Sequence, residues 1–475
     1  MNRWLAMMVA ACAVIQPVAA NPTDPVRNLS RVRLIVTTAA TSADVTVTGA
    51  TVASYLSTVR GGAPAVRTSQ TGSTLRLSRN VAGQSAEASF DMILADVSSR
   101  GLVTWNLALG SVADAQLEVY SLAEFERPRL VDRFEATGTS SRFSTPAVQL
   151  TPGAVSATTV PRLVLAHYYP WYTIDTWSDP QMADSPLRAY SSDRREDVDE
   201  QARQAVAAGI DAFVVSWQGK EAGNGFNVRR MQLVLEAARQ AGLKACIYTE
   251  TYVANVGNDP RVPIDPDVVF DWFVDIVDMF GDHPAYLRLD GRPVILMYAV
   301  SLLPQAQWDA VLARLRATGR NPVVIGEFFQ STLLETFDGE YQYTNVLRPP
   351  DEVSRIDRVE SLRVRTFHLL RPRSPRRIWI ASVTPGFDDT KLIGREGRLV
   401  DRANGRVYDE QWDAAVSTAA DWVVVTSWNE WWENTQIEPS VRYGSAFLDR
   451  TRDWATAFKS GSGVSALSSK RVGNR

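Results

Sequence analysis

From residue 162 onward, short apolar runs alternate with amphipathic segments, and this alternation constrains the fold more than any other feature of the chain. Eight β-type runs can be located, at residues 163–168, 212–217, 243–249, 294–298, 323–327, 339–343, 378–383 and 422–426. The helical segments between them include residues 196–208, 228–241, 266–280, 305–318 and 408–419. Eight βα units over about 300 residues predict a (β/α)8 TIM barrel, and an open doubly wound α/β sheet is the alternative.

The N-terminal part of the chain has a different texture. Residues 28–150 contain short alternating runs, at residues 33–37, 44–48, 74–77, 88–94, 103–108 and 116–120. Evenly spaced short strands without helical periodicity predict a smaller all-β sandwich, which we expect to be an accessory domain. Residues 151–161 read as a linker, 162–458 as the catalytic barrel and 459–475 as a disordered tail.

The first twenty residues have the pattern of a signal peptide. Arg3 supplies a positive charge, an apolar stretch follows, and the small residues that end at Ala20 offer a cleavage site. We therefore expect a secreted or periplasmic protein, with a lipoprotein attached through Cys12 as the alternative. The stretch is too short to span a membrane. Cleavage would leave only Cys246, in an apolar run where an inert core thiol is expected.

Composition excludes some functions. A net charge of −3 in 475 residues leaves no basic footprint for nucleic acid. No His/Cys cluster has metal-binding spacing and no phosphate loop is present, so neither a metal nor a cofactor is expected. The acidic loop at residues 258–267 is better explained by turn-forming Asp-Pro than by calcium, and the arginines of residues 371–377 read as a solvated connector.

Two glutamates follow the last apolar run, in the segment DWVVVTSWNEWWENTQIEPSVRYG at residues 421–444. We expect Asn429 to cap a helical turn, on which Glu430 and Glu433 would be neighbours about 5–6 Å apart. Two close carboxylates among tryptophans can adopt different protonation states, as glycoside hydrolysis requires. The alternative is a solvated pair on a helix surface.

The segment resembles the motif of the family-99 glycoside hydrolases, the endo-α-mannosidases and endo-α-mannanases. The positions that match are Ser427, Asn429, Glu430, Trp431, Glu433, Thr435, Gln436, Ile437 and Glu438. Trp432 stands where a His is usual, and Asn434 stands where a Gly is usual. The resemblance extends over most of the barrel, from His167 to Tyr443, and is absent from the N-terminal region.

That resemblance implies a retaining endo-α-glycosidase. Glu430 would deprotonate the sugar 2-hydroxyl, which then attacks the anomeric carbon, and Glu433 would be the acid/base. The close spacing of the pair by itself excludes the wide separation of an inverting enzyme. It leaves open whether Glu430 acts as a nucleophile or as a base.

The C-terminal ends of barrel strands carry the chemistry of such folds, so aromatic and polar residues at those ends are substrate-binding candidates. They are His167, Tyr168, Tyr169, Trp171, Trp217, Gln218, Glu250, Tyr252, Tyr298 and Tyr343, joined by Asn429, Trp431, Trp432, Gln436 and Glu438 of the motif. His167 reads equally as a wall residue and Glu327 equally as a structural acid. His283 and His368 fall in connecting segments.

Three function classes remain. The preferred one is an exported hydrolase that cuts within an α-linked polysaccharide, mannan-like or a bacterial exopolysaccharide. The others are a non-catalytic glycan-binding module and a polysaccharide lyase or transferase. The expected partner is a polysaccharide or oligosaccharide in each case, with no nucleic acid and no membrane span.

Overall fold

The protein is described by a computed structural model, within which residues 29–36, 42–60, 66–79, 86–95, 102–110, 114–121, 129–136, 142–144, 148–149, 160–255, 258–259, 262–327, 331–370, 377–394, 396–418 and 420–460 are placed. The predicted signal peptide with Cys12, most of the predicted linker, and residues 461–475 lie outside the described residues. So do residues 371–376 of the arginine-rich connector.

The N-terminal part forms two antiparallel sheets. Their strands are β1 (Leu29–Val36), β2 (Ser42–Thr48), β3 (Thr51–Arg60), β4 (Val66–Thr71), β5 (Thr74–Arg79), β6 (Ala86–Ala95), β7 (Leu102–Leu109), β8 (Ala115–Ser121), β9 (Arg129–Ala136), β10 (Arg142–Ser144) and β11 (Val148–Gln149). One sheet has the order β3-β6-β1-β8-β9, and the other has the order β10-β7-β2-β5-β4, with β11 also paired to β7.

An apolar core lies between these sheets, because alternate side chains of strands such as β2 and β7 point inward. In β2, Ala43, Val45 and Val47 are buried and their neighbours are not. Phe90 of the first sheet and Trp105 of the second belong to the same core. The predicted β-sandwich is therefore confirmed.

The C-terminal part is a closed parallel barrel, as predicted. Its strands are β12 (Leu163–Tyr168), β13 (Ala212–Trp217), β14 (Lys244–Thr249), β16 (Arg292–Met297), β17 (Val323–Glu327), β18 (Gly339–Tyr341), β19 (Ile378–Val383) and β22 (Trp422–Val425). They follow one another around the sheet, β22 pairs with β12, and β14 pairs with β16 to close it. The short strand β15 (Arg288–Leu289) forms a hairpin with β16, and β20 (Phe387–Asp388) pairs with β21 (Leu399–Val400) above the barrel.

Helices surround the barrel because both faces of its strands must be covered. They are α1 (Arg195–Ala207), α2 (Phe226–Ala241), α3 (Pro266–Phe280), α4 (Gln305–Ala317), α5 (Pro350–Leu370), α6 (Arg406–Ser417) and α7 (Ala446–Ser460). Asp265 caps α3 by accepting the Asp267 N–H, which agrees with the turn interpretation of the acidic loop.

Two sequence interpretations of this region are corrected. His368 belongs to α5 and not to a connecting segment. Lys459 belongs to α7 and not to a disordered tail, because its ammonium group donates to Asp211 at the base of the barrel at 2.7 Å. Helix α5 also packs against β3 and β6, so it joins the barrel to the sandwich.

Candidate active site

The segment after β22 forms a tight turn and not a helix. The Thr435 N–H donates to the Glu430 carbonyl at 3.2 Å, and the Ser427 N–H donates to the Thr435 carbonyl at 3.0 Å. The Ser427 hydroxyl oxygen accepts the Glu430 N–H at 2.7 Å. The predicted helical turn capped by Asn429 is therefore wrong, because Ser427 takes the local donor. Glu430 and Glu433 nevertheless share one turn at the C-terminal mouth of the barrel.

Asn429 bonds to the backbone of Tyr169 and does not cap a helical turn. Its carboxamide oxygen accepts the Tyr169 N–H at 2.7 Å, and its Nδ2 donates to the Tyr169 carbonyl at 3.1 Å. Since Tyr169 follows β12 and Asn429 follows β22, this two-way bond joins the ends of the first and last barrel strands. Asn429 is fully buried and bonded to this backbone, so it positions the turn, and its sugar contact stays a prediction.

Other partners of the turn come from distant parts of the sequence. The Tyr172 hydroxyl oxygen accepts the Trp431 N–H at 3.0 Å. The Asp388 N–H, in β20, donates to the Glu433 carbonyl at 2.8 Å. The backbone on both sides of the acidic pair is therefore fixed by the loops that follow β12 and β19.

Asn434 adopts a left-handed conformation, with φ of 50°. Glycine is favoured there and asparagine is among the residues that tolerate it best, which explains how Asn434 replaces the usual Gly. Its carbonyl accepts the Nη2 of Arg402 at 2.8 Å. The buried Arg402 guanidinium lies over the rings of Tyr443 and Phe447, at 4.2 and 4.4 Å. The left-handed residue of the turn is thus tied to Arg402.

Tyrosines form a wall of the site. The hydroxyls of Tyr169 and Tyr343 share a hydrogen bond of 2.6 Å. The Tyr343 ring lies 6.1 Å from Tyr248 and 5.7 Å from Tyr298, and Tyr298 meets Tyr252 edge to face. Tyr252 and Tyr298 are partly exposed, so they mark the mouth of the site. Rings and hydroxyls of this kind suit the mixed apolar and polar faces of a sugar.

Both motif glutamates lie beside this wall. Burial raises the pKa of Tyr343 well above its ordinary value, and the negative charges of Glu433 and Glu430 raise it further. The pKa of Tyr169 is raised in the same way, by burial and by Tyr343 and Glu430, and that of Tyr298 by burial and by carboxylates that include Glu433. The tyrosines are therefore neutral hydrogen-bond donors around two carboxyl groups.

Glu250 is a third acid of the site. Its Oε1 accepts the Ser216 hydroxyl at 2.8 Å, and its Oε2 is buried with no hydrogen-bond partner among the described residues. Burial raises the pKa of Glu250 to about 8, the Ser216 hydrogen bond lowers it, and the charges of Glu433 and Glu327 raise it. Glu250 is therefore mostly protonated at neutral pH and can donate a hydrogen bond.

This pKa has a consequence for stability. Because the folded-state pKa of Glu250 is raised from 4.5 to about 8, its stabilising contribution is present below pH 4.5 and is lost as the pH rises to about 8. Each unit is worth about 1.4 kcal/mol, so the loss amounts to several kcal/mol. Glu250→Gln keeps the acceptor for Ser216 without the proton. We expect the difference in melting temperature, variant minus wild type, to increase between pH 5 and pH 8.5. A decrease in this difference would contradict the raised pKa of Glu250.

Glu327 is held in place by the protein. Its Oε1 accepts the Tyr343 N–H and its Oε2 accepts the Ala299 N–H, both at 3.2 Å. Loss of solvent raises the pKa of Glu327 to about 7, against the effect of these bonds. The interpretation as a structural acid fits this geometry, because the carboxylate fastens the end of β18 to the turn after β16.

Two predicted site residues point away from the barrel interior. Tyr168 packs on Phe213 and its hydroxyl donates to Gln201 of α1 at 2.7 Å. Trp217 packs edge to face on Phe280, at the end of α3. Since strand side chains alternate, the inward neighbour of Tyr168 is His167, and that of Trp217 is Ser216. The predicted sugar contacts of Tyr168 and Trp217 are therefore not supported.

Three motif side chains are engaged by the protein. The Gln436 Nε2 donates to the Asn434 side chain at 3.0 Å. The Trp431 indole and Glu438 are buried and bonded to one another, at 3.2 Å. Trp431, Gln436 and Glu438 therefore support the turn, and their sugar contacts stay a prediction.

The remaining predicted residues lie near the site. His167 is buried within 4.6 Å of the Tyr248 ring, and burial lowers its pKa to about 3, so its imidazole is neutral. Trp171 packs 4.7 Å from Tyr169. Trp171, Gln218 and Trp432 are partly exposed, and the Trp432 N–H donates to the Glu430 Oε1 at 3.1 Å.

Sequence reasoning missed several residues of the site. Ser216, Tyr172, Tyr190 and Asp388 were not among the candidates, although each contacts one, and neither was Arg402, which contacts Asn434 of the turn. Period-2 alternation would have selected Ser216 as the inward neighbour of Trp217. No local pattern marks the other four. Over the described part of the chain, acidic, His and Cys side chains form no group that could hold a metal ion, and no helix is long and apolar enough to cross a membrane.

The sequence of the chain matches a known protein family. The model of Glycosyl hydrolase family 99 matches residues 179–347 and 364–457, which is more than half of the sequence. The chain belongs to glycosyl hydrolase family 99. The match ends within α7 and leaves the sandwich outside.

Relatives agree with this family membership. The chain is 24% identical over 307 residues to a glycoprotein endo-alpha-1,2-mannosidase of Rattus norvegicus, covering 57% of this chain and 63% of that protein. It is 27% identical over 216 residues to the uncharacterized protein WxcX of Xanthomonas campestris, covering 39% and 30%. The chain thus spans less than two thirds of the length of the mannosidase.

A solved structure shows the same barrel. The family-99 endo-alpha-mannosidase from Bacteroides thetaiotaomicron, in complex with bis-tris-propane, is 26% identical and superposes with a TM-score of 0.54. The alignment covers 64% of this chain and 99% of that one. The family-99 unit of our chain is therefore the barrel with its helices.

Proposed function

We propose that the protein is a glycoside hydrolase that cleaves α-mannosidic bonds, using Glu430 and Glu433. One observation carries the proposal: in a family-99 chain, both glutamates lie on a single braced turn at the C-terminal mouth of the barrel, beside Tyr343. Active sites of such barrels are built at this face. Two carboxyl groups that close suit a retaining reaction.

The roles of the pair follow from the family resemblance. Glu430 removes the proton of the sugar 2-hydroxyl, whose oxygen attacks C1, while Glu433 protonates the departing glycosidic oxygen. This gives a 1,2-anhydro sugar and a shortened chain. Water then attacks C1, Glu433 takes the proton of that water, and O2 recovers its proton from Glu430. Two inversions at C1 amount to retention.

The surroundings support this chemistry. The Trp432 N–H donates to the Glu430 Oε1, which fixes the carboxylate next to the acid/base. The hydrogen-bonded hydroxyls of Tyr169 and Tyr343, which retain one O–H between them, and the protonated Glu250 are available as donors to sugar oxygens. Preorganised donors of this kind stabilise charge that develops in the transition state.

We further propose that the enzyme is exported and acts within the chain of an α-linked polysaccharide, mannan-like or a bacterial exopolysaccharide. The N-terminal sequence pattern supports export. The relatives named endo-alpha-1,2-mannosidase and endo-alpha-mannosidase support internal cleavage next to mannose.

A substrate screen tests the proposal. Purified protein is incubated with α-mannans, α-glucans and bacterial exopolysaccharides, with the Glu430→Gln, Glu433→Gln double variant as the blank. We expect release of oligosaccharides from an α-mannan by the wild type only. Binding without cleavage would favour the glycan-binding module, and an unsaturated product would favour a lyase.

A further inference from the structure

Glu438 lies behind the turn that carries the two catalytic glutamates. The residue is 7% exposed. The Oε1 accepts the Gln201 Nε2 at 2.6 Å, and the Oε2 accepts the Trp431 Nε1 at 3.2 Å. Gln201 belongs to α1, so this carboxylate connects the motif to a helix on the outside of the barrel.

Tyr190 extends the connection to Asn429. Its hydroxyl oxygen accepts the Asn429 Nδ2 at 3.1 Å and the Trp431 Nε1 at 3.2 Å. With two donors on its oxygen, the Tyr190 O–H is left to donate to Glu438, with which it also bonds. The carboxylate therefore accepts bonds from three groups: an amide, an indole and a phenol.

We propose that Glu438 is a positioning residue, which fixes Glu430 by holding Trp431 directly and Asn429 through Tyr190. These two side chains belong to the immediate neighbours of Glu430 in the sequence. The inference rests on the proposed function for its catalytic consequence only. A carboxylate suits this position because both of its oxygens accept hydrogen bonds and neither donates one.

The charged groups around Glu438 are few among the described residues. Asp197 of α1 is paired with Arg188 at 2.6 Å, and the Tyr168 hydroxyl reaches Gln201 from β12. Burial raises the pKa of Glu438 to about 7, against the three hydrogen bonds, and Asp197 raises it further. Protonation turns one acceptor position into a donor, so the network should loosen as the pH falls below about 7.

The decisive variant exchanges Gln201 and Glu438, which are hydrogen-bond partners. Glu438→Gln presents an amide to the Gln201 donor, and we expect kcat to fall about 10- to 100-fold with KM changed less than threefold. In the double variant Q201E/E438Q, the new carboxylate at position 201 accepts hydrogen bonds from the Tyr168 hydroxyl and from the amide nitrogen at position 438. The amide oxygen at position 438 still accepts from Trp431 and Tyr190. We expect it to recover most of the lost kcat.

The control is Glu200→Gln, because Glu200 accepts the Gln204 Nε2 at 2.8 Å on the same helix, away from the motif. It should leave kcat and KM unchanged. A change in KM with kcat preserved in Glu438→Gln would overturn the proposal, since it would indicate sugar contact. If Q201E/E438Q folds but its kcat stays far below that of the wild type, the proposal is overturned too. This result is compared with the wild type, so it can be used even if Glu438→Gln does not fold.

A second readout is independent of catalysis. In ¹⁵N-tryptophan-labelled protein, the indole resonance that disappears in Trp431→Phe belongs to Trp431. We expect it to shift with a midpoint near pH 7 in the wild type and to stay constant in Glu438→Gln. A protein without hydrolytic activity that shows this titration would refute the proposed function but not the positioning. A Trp431 resonance that is the same in the wild type and in Glu438→Gln at every pH would refute the positioning.

Discussion

Replacing either Glu430 or Glu433 by glutamine is expected to lower kcat on an α-mannan by about 10³-fold or more. Each glutamine keeps the size of the side chain but can neither take nor give the proton that the reaction requires. Because the two act as a unit, the double variant should be hardly worse than either single one. Initial rates of oligosaccharide release provide the measurement, with melting temperature and substrate binding as controls for folding.

An activated substrate separates the two roles. Fluoride leaves without protonation, so an α-mannosyl fluoride should partly restore turnover in Glu433→Gln but not in Glu430→Gln. Restoration in Glu430→Gln alone would reverse the assignment. More than a tenth of wild-type activity on α-mannan in either variant would refute the site.

The second large effect concerns the substrate. A substrate whose cleaved sugar lacks the 2-hydroxyl should bind with similar affinity but be cleaved at least about 10³-fold more slowly, because its internal nucleophile is missing. A 3-deoxy substrate is the control and should be affected far less. Rates and binding constants of both analogues provide the test. Ready cleavage of the 2-deoxy substrate, or a covalent adduct on Glu430 with a 2-fluoro substrate, would contradict the mechanism.

The barrel was predictable because its strands are buried on both faces and appear as continuous apolar runs. Every side chain of β13 and of β19 is buried, and the eight predicted strands lie within about two residues of those observed. Helix α5 escaped the sequence analysis for a physical reason. Its inner face carries Asp357 and Glu360, which lie with Glu340 of β18 in the protein interior, so apolar periodicity is weak there.

The pair Glu430 and Glu433 was predictable from one local segment, whereas the residues that hold its turn in place were not. Tyr172, Asp388 and Arg402 reach the turn from 259, 45 and 32 positions away from their partners Trp431, Glu433 and Asn434. Helix capping suggested the wrong local structure for the same reason: Asn429 bonds to the backbone of Tyr169, which follows a distant strand. Tertiary contacts outweighed a propensity that is worth about 1 kcal/mol.

The stereochemistry of the first product tests the central claim most directly. Proton NMR of the α-mannan reaction during the first minutes distinguishes the anomers before mutarotation mixes them. Retention through Glu430 and Glu433 predicts that the α-anomer of the new reducing end appears first and the β-anomer later. A β-anomer that appears first would show inversion and contradict the account.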